Sequence, residues 1–285
     1  MNYNFSEDLQ LVKQILNTTR EKIAENIGVS QMTLNRWVGN KNNPDEDSIE
    51  KFYRYAYKKG INLNKINAQL YKEDYINENN VILFHGAKSE IIGELSLNKS
   101  KGINDFGNGF YCGESLEQSA TFVSGYPKSS IYFLKFNNKN LKFYKFNVDQ
   151  EWMLAIAYFR DTLGDLKKHP IVLNIINKLA DVDYIIAPIV DNNMFMIMDS
   201  FIAGEITDQQ CMHSLSATNL GYQYVFVSNK ALKNIEILRR GYLSSSEKSD
   251  YLKRRNENNE DSNNKVKAAK IKYREMGHYI EEILS

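Results

Sequence analysis

Residues 5–62 carry apolar side chains three or four positions apart, in four short groups separated by polar residues. This spacing places the apolar side chains on one face of a helix, so the pattern predicts four helices. Residues suited to cap these helices lie where each group begins or ends. They are Thr18 or Thr19, Gly28, Ser30, and Asp47 or Ser48. The pattern therefore predicts an all-α domain at 5–62.

The pattern changes after the Asn-rich segment 77–80. Short apolar runs of β-branched and aromatic residues now alternate with helical stretches, as expected of a mixed α+β domain. The predicted strands contain residues 81–84, 131–134, 184–187 and 224–227, and the predicted helices span 150–159, 171–179 and 194–201. We therefore predict a polar linker at 63–78 and a mixed α+β domain at 79–243.

The last segment, 244–285, begins with serines and continues through a stretch rich in Asn and Glu that has few apolar residues to bury. This composition predicts a polar linker. Apolar residues three or four positions apart follow, and they predict an amphipathic helix of about 20 residues. These residues are Val266, Ala269, Tyr273, Met276, Ile280 and Leu284. Such a helix could dock on its own chain, pair two copies of the chain as a homodimer, or receive an inhibitory partner such as an antitoxin.

The composition narrows the possible environments. The 285 residues carry a formal net charge of +1, so a nucleic-acid or membrane partner would have to meet a local charged patch. The two cysteines, Cys112 and Cys211, are far apart, and the first residues lack the features of a secretory leader. The apolar runs are too short to cross a bilayer. We expect a reduced, cytoplasmic protein with no membrane partner and no metal site.

Residues 19–37 have the features of two helices joined by a tight turn. An alanine lies in the first predicted helix, a glycine at the turn, and Val-Ser-Gln at the entry to the second helix. In this order the segment resembles the helix-turn-helix of phage-repressor proteins, whose second helix lies in the DNA major groove. The resemblance implies DNA contacts from Gln31, Thr33, Asn35, Arg36 and, at a phosphate, Lys41. The alternative is a helical scaffold for dimerisation or partner binding, because residues 1–64 hold nine Lys and Arg against eight Asp and Glu.

Three short motifs in the second domain suit a flat, charged ligand. Phe84-His85-Gly86 ends an apolar run, which would place the imidazole at the end of a strand. Residues 104–111 read Asn-Asp-Phe-Gly-Asn-Gly-Phe-Tyr, in which two glycines let the backbone turn and approach a ligand closely. Residues 114–122 then predict a capped helix on which Ser119 and Phe122 share one face. Taken alone, each motif is equally typical of a core histidine, a turn or a helix cap.

In this order the motifs resemble the catalytic core of the ADP-ribosyltransferases, in the branch named for histidine, tyrosine and glutamate. The sequence His-Gly, then Gly-x-Gly-Phe-Tyr, then Ser-Ala carries the resemblance, which extends through residues 183–191 and ends near 223–226. The chain is still more similar to a bacterial family of that superfamily, of unknown function, marked by an Asp-Phe-Gly-x-Gly-Phe-Tyr motif. The implied fold class is α+β: an N-terminal all-α helix-turn-helix domain, then a mixed α+β ADP-ribosyltransferase-like split β-sandwich and a C-terminal helix.

The resemblance implies NAD+ as the substrate and gives each motif a role. His85 would bond the 2′-hydroxyl of an NAD+ ribose, while the Gly86 backbone and the Ser119 hydroxyl hold the nicotinamide carboxamide. Tyr111 and Phe122 would enclose the nicotinamide ring, because a cationic ring favours the negative face of an aromatic side chain. The glycosidic bond would then break through an oxocarbenium-like state that the site must stabilise.

The third motif departs from the family pattern, in which a glutamate bonds the ribose and stabilises the cation. At the start of the last long predicted strand this chain has Gln223. A neutral amide can bond the 2′-hydroxyl but supplies no charge, which favours transfer of one ADP-ribose unit over chain elongation. Asp191 and Glu205 are candidates to replace the charge, although each is more typical of a solvated loop carboxylate. Asp105 is equally typical of a turn residue bonded to its own backbone.

The leading hypothesis is a mono-ADP-ribosyltransferase in which His85, Tyr111 and Gln223 are the catalytic residues. It would move ADP-ribose from NAD+ to a macromolecule, either protein or nucleic acid, as a bacterial toxin or a phage-defence effector. One alternative is a DNA-binding regulator whose degenerate second domain senses NAD+ without turnover. Another is an NAD+ glycohydrolase, in which water is the acceptor.

Overall fold

The structure is a computed structural model that describes residues 3–39, 41–99, 104–189, 192–217 and 221–285, except for the side chains of residues 192, 193 and 262. In it the chain divides into two compact units, each built from several segments. The first unit comprises Met1–Ile92, Leu116–Phe136 and Glu236–Arg254, and the second comprises Gly93–Ser115, Asn137–Ile235 and Arg255–Ser285.

Within the described residues, five helices form the N-terminal part of the first unit. They are α1 (Phe5–Ile15), α2 (Arg20–Ile27), α3 (Gln31–Val38), α4 (Glu46–Lys58) and α5 (Leu63–Tyr75). Most of the apolar positions predicted from helical spacing face one core, in which Leu9, Ile23 and Leu34 are fully buried, whereas Ile15 and Met32 are exposed. Burial of these apolar side chains stabilises the short helices, because a helix of this length is only marginally stable in water on its own.

The predicted helix caps are confirmed at three of four places. The Thr19 hydroxyl accepts from the Lys22 N–H, Gly28 ends α2 at φ +73°, and the Ser30 hydroxyl accepts from the Thr33 N–H. The prediction of Asp47 or Ser48 for α4 is wrong. Asp45 is the cap, two residues before the nearer of the predicted caps, and its carboxylate accepts from the N–H of Ser48 at 2.7 Å.

The segment 63–78, predicted to be a linker, contains helix α5 instead. Its asparagines suggested an irregular connection, because asparagine competes with the helix backbone for hydrogen bonds. In the structure Asn62 is the N-cap of the helix, and Asn64 and Asn67 are buried. Asn64 donates to the Tyr242 carbonyl at 2.8 Å, so its side chain is satisfied by tertiary partners that a local pattern does not reveal.

The described strands form a seven-stranded sheet in the order β4-β5-β6-β2-β1-β3-β7, so the architecture is mixed α+β with an N-terminal helical region. The strands are β1 (Asn80–Ala87), β2 (Phe110–Gly113), β3 (Ser130–Asn137), β4 (Phe143–Lys145), β5 (Tyr184–Pro188), β6 (Tyr222–Phe226) and β7 (Ile235–Tyr242). The four predicted apolar runs lie in or overlap β1, β3, β5 and β6. The four predicted runs do not include the short strand β2 or the strands β4 and β7, whose residues are partly exposed.

Helices alternate with these strands. They are α6 (Leu116–Val123), α7 (Gln150–Phe159), α8 (Pro170–Asn177), α9 (Asn192–Ile202), α10 (Asp208–Ser216) and α11 (Asn229–Leu232). In the first unit α6 packs its buried residues with those of β1 and β3, including Phe84 and Phe133. In the second unit α7 is buried along most of its length and shares a core with Phe201 and Val225.

The C-terminal segment differs from the predicted linker and single amphipathic helix. Helix α12 (Ser245–Lys272) is continuous through the Asn/Glu-rich stretch, and a short α13 (Ile280–Ile283) follows. The two are separated at Gly277, whose φ of +86° suits glycine and where a side chain would overlap the carboxylate of Asp208. Ile280 and Leu284 are buried in the core of the second unit, so the end of the chain packs on its own protein.

Among the residues that the structure describes, no helix combines the length and the apolar character needed to cross a membrane.

Candidate functional site

In the first unit, the close packing of β1 on α6 accounts for the glycine of the His-Gly motif. His85 is half-buried near the end of β1. A side chain at the next residue, Gly86, would overlap the Ser119 carbonyl and come within 2.9 Å of Val123 Cγ1. Glycine at this position therefore lets strand and helix approach each other, which is a packing requirement independent of any ligand.

Ser119 and Phe122 lie on α6, as predicted, but their surroundings differ. Ser119 is buried, and its hydroxyl donates to the Phe84 carbonyl at 3.1 Å. This bond ties α6 to β1 and uses the serine proton, while the hydroxyl lone pairs are still able to accept. Phe122 leaves 54% of its surface exposed, so its ring is accessible to a ligand.

In the second unit, the two glycines of the Asp-Phe-Gly-Asn-Gly-Phe-Tyr segment are required for different reasons. Gly107 has φ +70°, a conformation that favours glycine. At Gly109 a side chain would come within 2.9 Å of the Phe226 carbonyl and 3.0 Å of Val225 Cγ1. The first glycine makes the turn, and the second lets the backbone lie against β6.

Tyr111 holds this turn through its hydroxyl. The hydroxyl accepts from the Phe106 N–H at 3.1 Å and donates to the Gly107 carbonyl at 2.8 Å. Burial raises the pKa of Tyr111 well above its ordinary value, so the phenol keeps its proton at physiological pH. Its ring is half-buried and packs against the core of the second unit.

The pairing of β2 with β6 places Tyr111 and Gln223 on one face of the sheet. The strands are antiparallel, with Gly113 opposite Gln223 and Tyr111 opposite Val225. Residues directly opposite share a face, and so do residues two apart along one strand. On β5, Ala187 lies opposite Gln223. Gln223 thus has small residues, Gly113 and Ala187, opposite it on both adjacent strands.

Gln223 is buried, and other groups of the second unit fix its amide. The amide nitrogen donates to Asp105 Oδ2 at 2.9 Å and to the Pro188 carbonyl at 3.3 Å. A carboxylate and a proline carbonyl only accept hydrogen bonds, so the amide nitrogen must face them. Its oxygen, Oε1, is therefore directed away from both acceptors.

Asp105 also pairs with Arg160, which follows helix α7. The guanidinium nitrogens Nη2 and Nε lie 2.9 Å and 3.2 Å from the same carboxylate oxygen. The guanidinium carbon lies 3.1 Å from the ring centre of Phe195 on α9. Burial raises the pKa of Asp105, while the hydrogen bond from Gln223 and the charge of Arg160 act in the opposite direction.

These contacts change the sequence-based interpretation of the acidic residues. The sequence leaves open that Asp105 is a turn residue bonded to its own backbone, but in the structure its described hydrogen bonds are to the side chains of Gln223 and Arg160. Of the candidates for a replacement charge, Glu205 is exposed, and Asp191 lies outside the described residues. Asp105 is the carboxylate that contacts Gln223, and its partner Arg160 had no local sequence signal.

The residues predicted to contact DNA lie on or just after α3. Gln31, Asn35, Arg36 and Lys41 are exposed, and Thr33 is half-buried and bonded to Ser30 at 2.8 Å. The first unit also has an open cleft of about 570 Å³ between the end of α2 and α4. Four cationic side chains that sequence analysis did not single out line it: Lys51, Arg54, Lys58 and Lys59.

Among the described residues, no group of three or more His, Cys, Asp or Glu side chains is arranged to hold a metal ion.

Comparison with known proteins identifies one family. The model of a family described as "Protein of unknown function (DUF3990)" matches residues 81–237, which is more than half of the chain and includes both the His-Gly motif and Gln223. No curated protein and no solved structure matched the chain.

Proposed function

Because the chain belongs to the family described as "Protein of unknown function (DUF3990)", a description that gives no activity, we propose a function from the chemistry of its residues. We propose that the chain is a mono-ADP-ribosyltransferase, which binds NAD+ and transfers one ADP-ribose unit to a macromolecular acceptor.

One observation carries this proposal. Tyr111 and Gln223, which come from different motifs, share a face of the sheet on the neighbouring strands β2 and β6. The loop that precedes β2 contributes Asp105, whose carboxylate accepts from the Gln223 amide. An aromatic ring, an oriented amide and a carboxylate within one part of the second unit suit a ligand that joins a cationic ring to a ribose.

The proposed reaction begins when the bond between the ribose C1′ and the nicotinamide nitrogen breaks. Its electron pair goes to the ring nitrogen, which neutralises the pyridinium charge as nicotinamide leaves. An acceptor atom then donates a lone pair to C1′ and releases a proton to solvent. Because positive charge develops on the ribose, groups with negative ends directed at it accelerate the reaction.

The roles of the first-unit residues follow from the sequence resemblance. His85 would bond the ribose 2′-hydroxyl, and the Gly86 backbone would hold the nicotinamide carboxamide. The Ser119 hydroxyl has already donated to Phe84, so it would accept from the carboxamide NH₂. The exposed ring of Phe122 and the ring of Tyr111 would contact the nicotinamide.

Two further features support single transfer on an ADP-ribosyltransferase-like fold. Gln223 supplies an amide at the position where ADP-ribosyltransferases that elongate ADP-ribose chains are expected to have a carboxylate. The charge of the neighbouring Asp105 is neutralised by Arg160. The seven-stranded sheet divides into β1, β3 and β7 in the first unit and β2, β4, β5 and β6 in the second, and we propose the split β-sandwich from the sequence resemblance. A toxin or a phage-defence effector is the biological role we propose for such an activity.

The proposal is tested by incubating the full chain with NAD+ labelled in its adenylate part, in the presence of cell lysate. We expect the label on a macromolecule and release of free nicotinamide. His85→Ala should abolish both, while His278→Ala, at an exposed histidine, should retain them. Free labelled ADP-ribose without labelled macromolecule would indicate a glycohydrolase instead. Intact NAD+ would contradict the proposal and favour NAD+ sensing.

A second candidate function, DNA binding by the N-terminal helices, is favoured by the exposed polar residues of α3 and by the cationic cleft beside α4. Phosphate neutralisation supplies most non-specific affinity for DNA, and the cleft adds four cations to the single one on α3, Arg36. An electrophoretic shift assay with genomic fragments at low salt tests this candidate. We expect Arg36→Ala to weaken a shifted band, and no retardation of any fragment would exclude DNA binding.

A further inference from the structure

We propose that Asp105 is a positioning residue that holds the Gln223 amide with its oxygen directed at the ligand. The inference rests on the proposed function, because it assigns a task to a residue beside the Gln223 side chain. It goes beyond that function by naming a residue that does not need to touch NAD+.

The orientation of an amide side chain normally has two alternatives of similar energy, since oxygen and nitrogen are nearly equal in size. Asp105 and the Pro188 carbonyl remove this ambiguity for Gln223. Both accept and neither donates, so a flipped amide would place its oxygen 2.9 Å from a carboxylate oxygen. Both N–H bonds are therefore used on these acceptors, and Oε1 is the group left to accept from a ribose hydroxyl.

Asp105 is itself held by a short series of contacts. Arg160 reaches one carboxylate oxygen with two guanidinium nitrogens, and its guanidinium packs over the ring of Phe195. The other carboxylate oxygen is thereby left to Gln223. A guanidinium fork fixes a carboxylate more rigidly than a single flexible donor does. The contacts thus run from Phe195 through Arg160 and Asp105 to Gln223.

Charge balance favours positioning over direct electrostatic stabilisation. The guanidinium of Arg160 lies 2.9 Å from the Asp105 carboxylate, so the pair carries no net charge toward a cation formed beyond Gln223. What reaches the ligand is the negative end of the amide dipole, whose direction Asp105 sets. Preorganised dipoles of this kind assist a reaction because they need no reorientation when charge develops.

The test compares Asp105→Ala, Asp105→Asn, Gln223→Ala and the double variant Asp105→Ala/Gln223→Ala in NAD+ turnover. Asp105→Ala should lower kcat by about ten- to a hundredfold, the effect of losing one hydrogen bond to a charged group, with a smaller change in KM. Asp105→Asn should recover most of the rate, because its oxygen still accepts from Gln223. The double variant should match Gln223→Ala, since Asp105 acts through that residue. Asp165→Ala, at an exposed carboxylate, serves as the matched control.

The amide itself provides a measurement that does not depend on turnover. In the full chain labelled with ¹⁵N-glutamine, the resonances that Gln223→Ala removes belong to the Gln223 amide. We expect two well-separated proton signals in the wild type and in Asp105→Asn, and averaged or broadened signals in Asp105→Ala. Unchanged amide signals in Asp105→Ala would overturn the inference, whether or not the protein consumes NAD+.

The outcomes separate the two proposals. Wild-type turnover together with an Asp105→Ala variant whose kcat is unchanged overturns the positioning role and leaves the proposed function intact. Additive losses in the double variant would also overturn it, because they would show that Asp105 acts independently of Gln223. A wild type that leaves NAD+ intact contradicts the proposed function, and the amide signals then decide the positioning of Gln223 alone.

Discussion

Each unit contains a buried carboxylate paired with an arginine, and the two pairs are built differently. In the first unit Asp8 on α1 pairs with Arg239 on β7, and both side chains are only 3% exposed. In the second unit Asp105 pairs with Arg160, whose side chain is 27% exposed. The first pair is closed to water, whereas the second is open on its arginine side.

The remaining bonds of the two carboxylates show what each pair does. Asp8 also accepts from the Tyr53 hydroxyl at 2.5 Å and from Asn67 at 3.4 Å, so its partners come from α4, α5 and β7. Asp105 accepts from the side-chain amide of Gln223. A closed network joins elements of the fold, while a network that ends on an amide with an available oxygen can serve a ligand.

The largest effect is expected from Arg239→Ala, which would leave the Asp8 carboxylate buried without its cation. We expect a loss of about 3–5 kcal/mol in the free energy of unfolding, because an uncompensated buried charge is strongly destabilising. Urea denaturation followed by circular dichroism measures this loss.

The control replaces both partners, as Asp8→Leu/Arg239→Met. It should be much less destabilised than Arg239→Ala, since apolar residues of similar volume need no counter-charge. Burial already raises the pKa of Asp8, and removal of the guanidinium would raise it further. Arg239→Ala should accordingly recover stability at low pH, where Asp8 is protonated. Equal loss at low and neutral pH would contradict this account.

A smaller loss, of about 2–3 kcal/mol, is expected from Arg160→Ala, because solvent reaches this pair and compensates part of the charge left on Asp105. The same denaturation experiment measures it, and NAD+ turnover should fall in parallel. Arg160→Lys keeps the charge but loses the two-pronged guanidinium contact with Asp105 and the contact with Phe195. We therefore expect its stability and its turnover to lie between those of the wild type and Arg160→Ala. A loss as large as that of Arg239→Ala would show that the two pairs do not differ as described.

Glu247 in the first unit sharpens the comparison, because its described hydrogen bonds come from neutral donors. Asn64 donates to both of its oxygens at 3.2 Å and 3.1 Å, and the Tyr251 hydroxyl lies at 3.4 Å. Burial raises the pKa of Glu247 from its ordinary 4.5 to about 7. The folded protein therefore binds this proton more tightly than the unfolded chain does, so stability should fall as pH rises from 4.5 through 7.

Glu247→Gln should remove that dependence and stabilise the protein at pH 8 by about 1–2 kcal/mol, less than the pKa shift alone implies because the amide offers Asn64 only one oxygen. Thermal unfolding between pH 5 and pH 8 provides the measurement. A wild type whose stability rises over this range, or a variant with the same slope, would contradict the assignment.

The sequence predicts much of the local structure because the relevant forces act within a few residues. The caps Thr19 and Ser30 and the apolar strand in β1 depend on neighbours at most four positions away. The order of the motifs similarly draws attention to Tyr111 and Gln223. The local pattern fails at residues 63–78, where asparagines predict irregular structure, because Asn64 finds its partners in Tyr242 and Glu247, far along the chain.

The contacts that shape the candidate site likewise join residues that are far apart in the sequence. Asp105 is 55 positions from Arg160 and 118 from Gln223, so no periodicity or spacing connects them. Arg160 follows a predicted apolar helix, where a cation is ordinarily explained by the helix dipole. Only the fold of the second unit shows that it serves Asp105. The sequence thus supplied the motif residues, and tertiary structure supplied the groups that orient them.

The smallest and most closely matched test removes one phenol oxygen from each unit. Tyr53→Phe takes a donor from the buried Asp8 carboxylate, and we expect a loss of about 1–2 kcal/mol in the free energy of unfolding. Tyr111→Phe leaves the Phe106 N–H and the Gly107 carbonyl of the turn without the hydroxyl as their partner. Because this turn is half-buried and water can replace the hydroxyl, we expect a loss of about 0.5–1 kcal/mol in the free energy of unfolding. Urea denaturation of both variants beside the wild type provides the comparison.

NAD+ turnover should fall more in Tyr111→Phe, although Tyr53→Phe should lose more stability. Tyr53→Phe leaves the second unit unchanged, so NAD+ turnover should stay at the wild-type rate. Tyr111→Phe keeps the ring for the nicotinamide but releases the loop that carries Asp105, and kcat should fall by about three- to tenfold. A larger stability loss in Tyr111→Phe than in Tyr53→Phe would mean that water has no better access to the turn than to the Asp8 network. Unchanged turnover in Tyr111→Phe would mean that the hydroxyl does not hold Asp105 in place for Gln223.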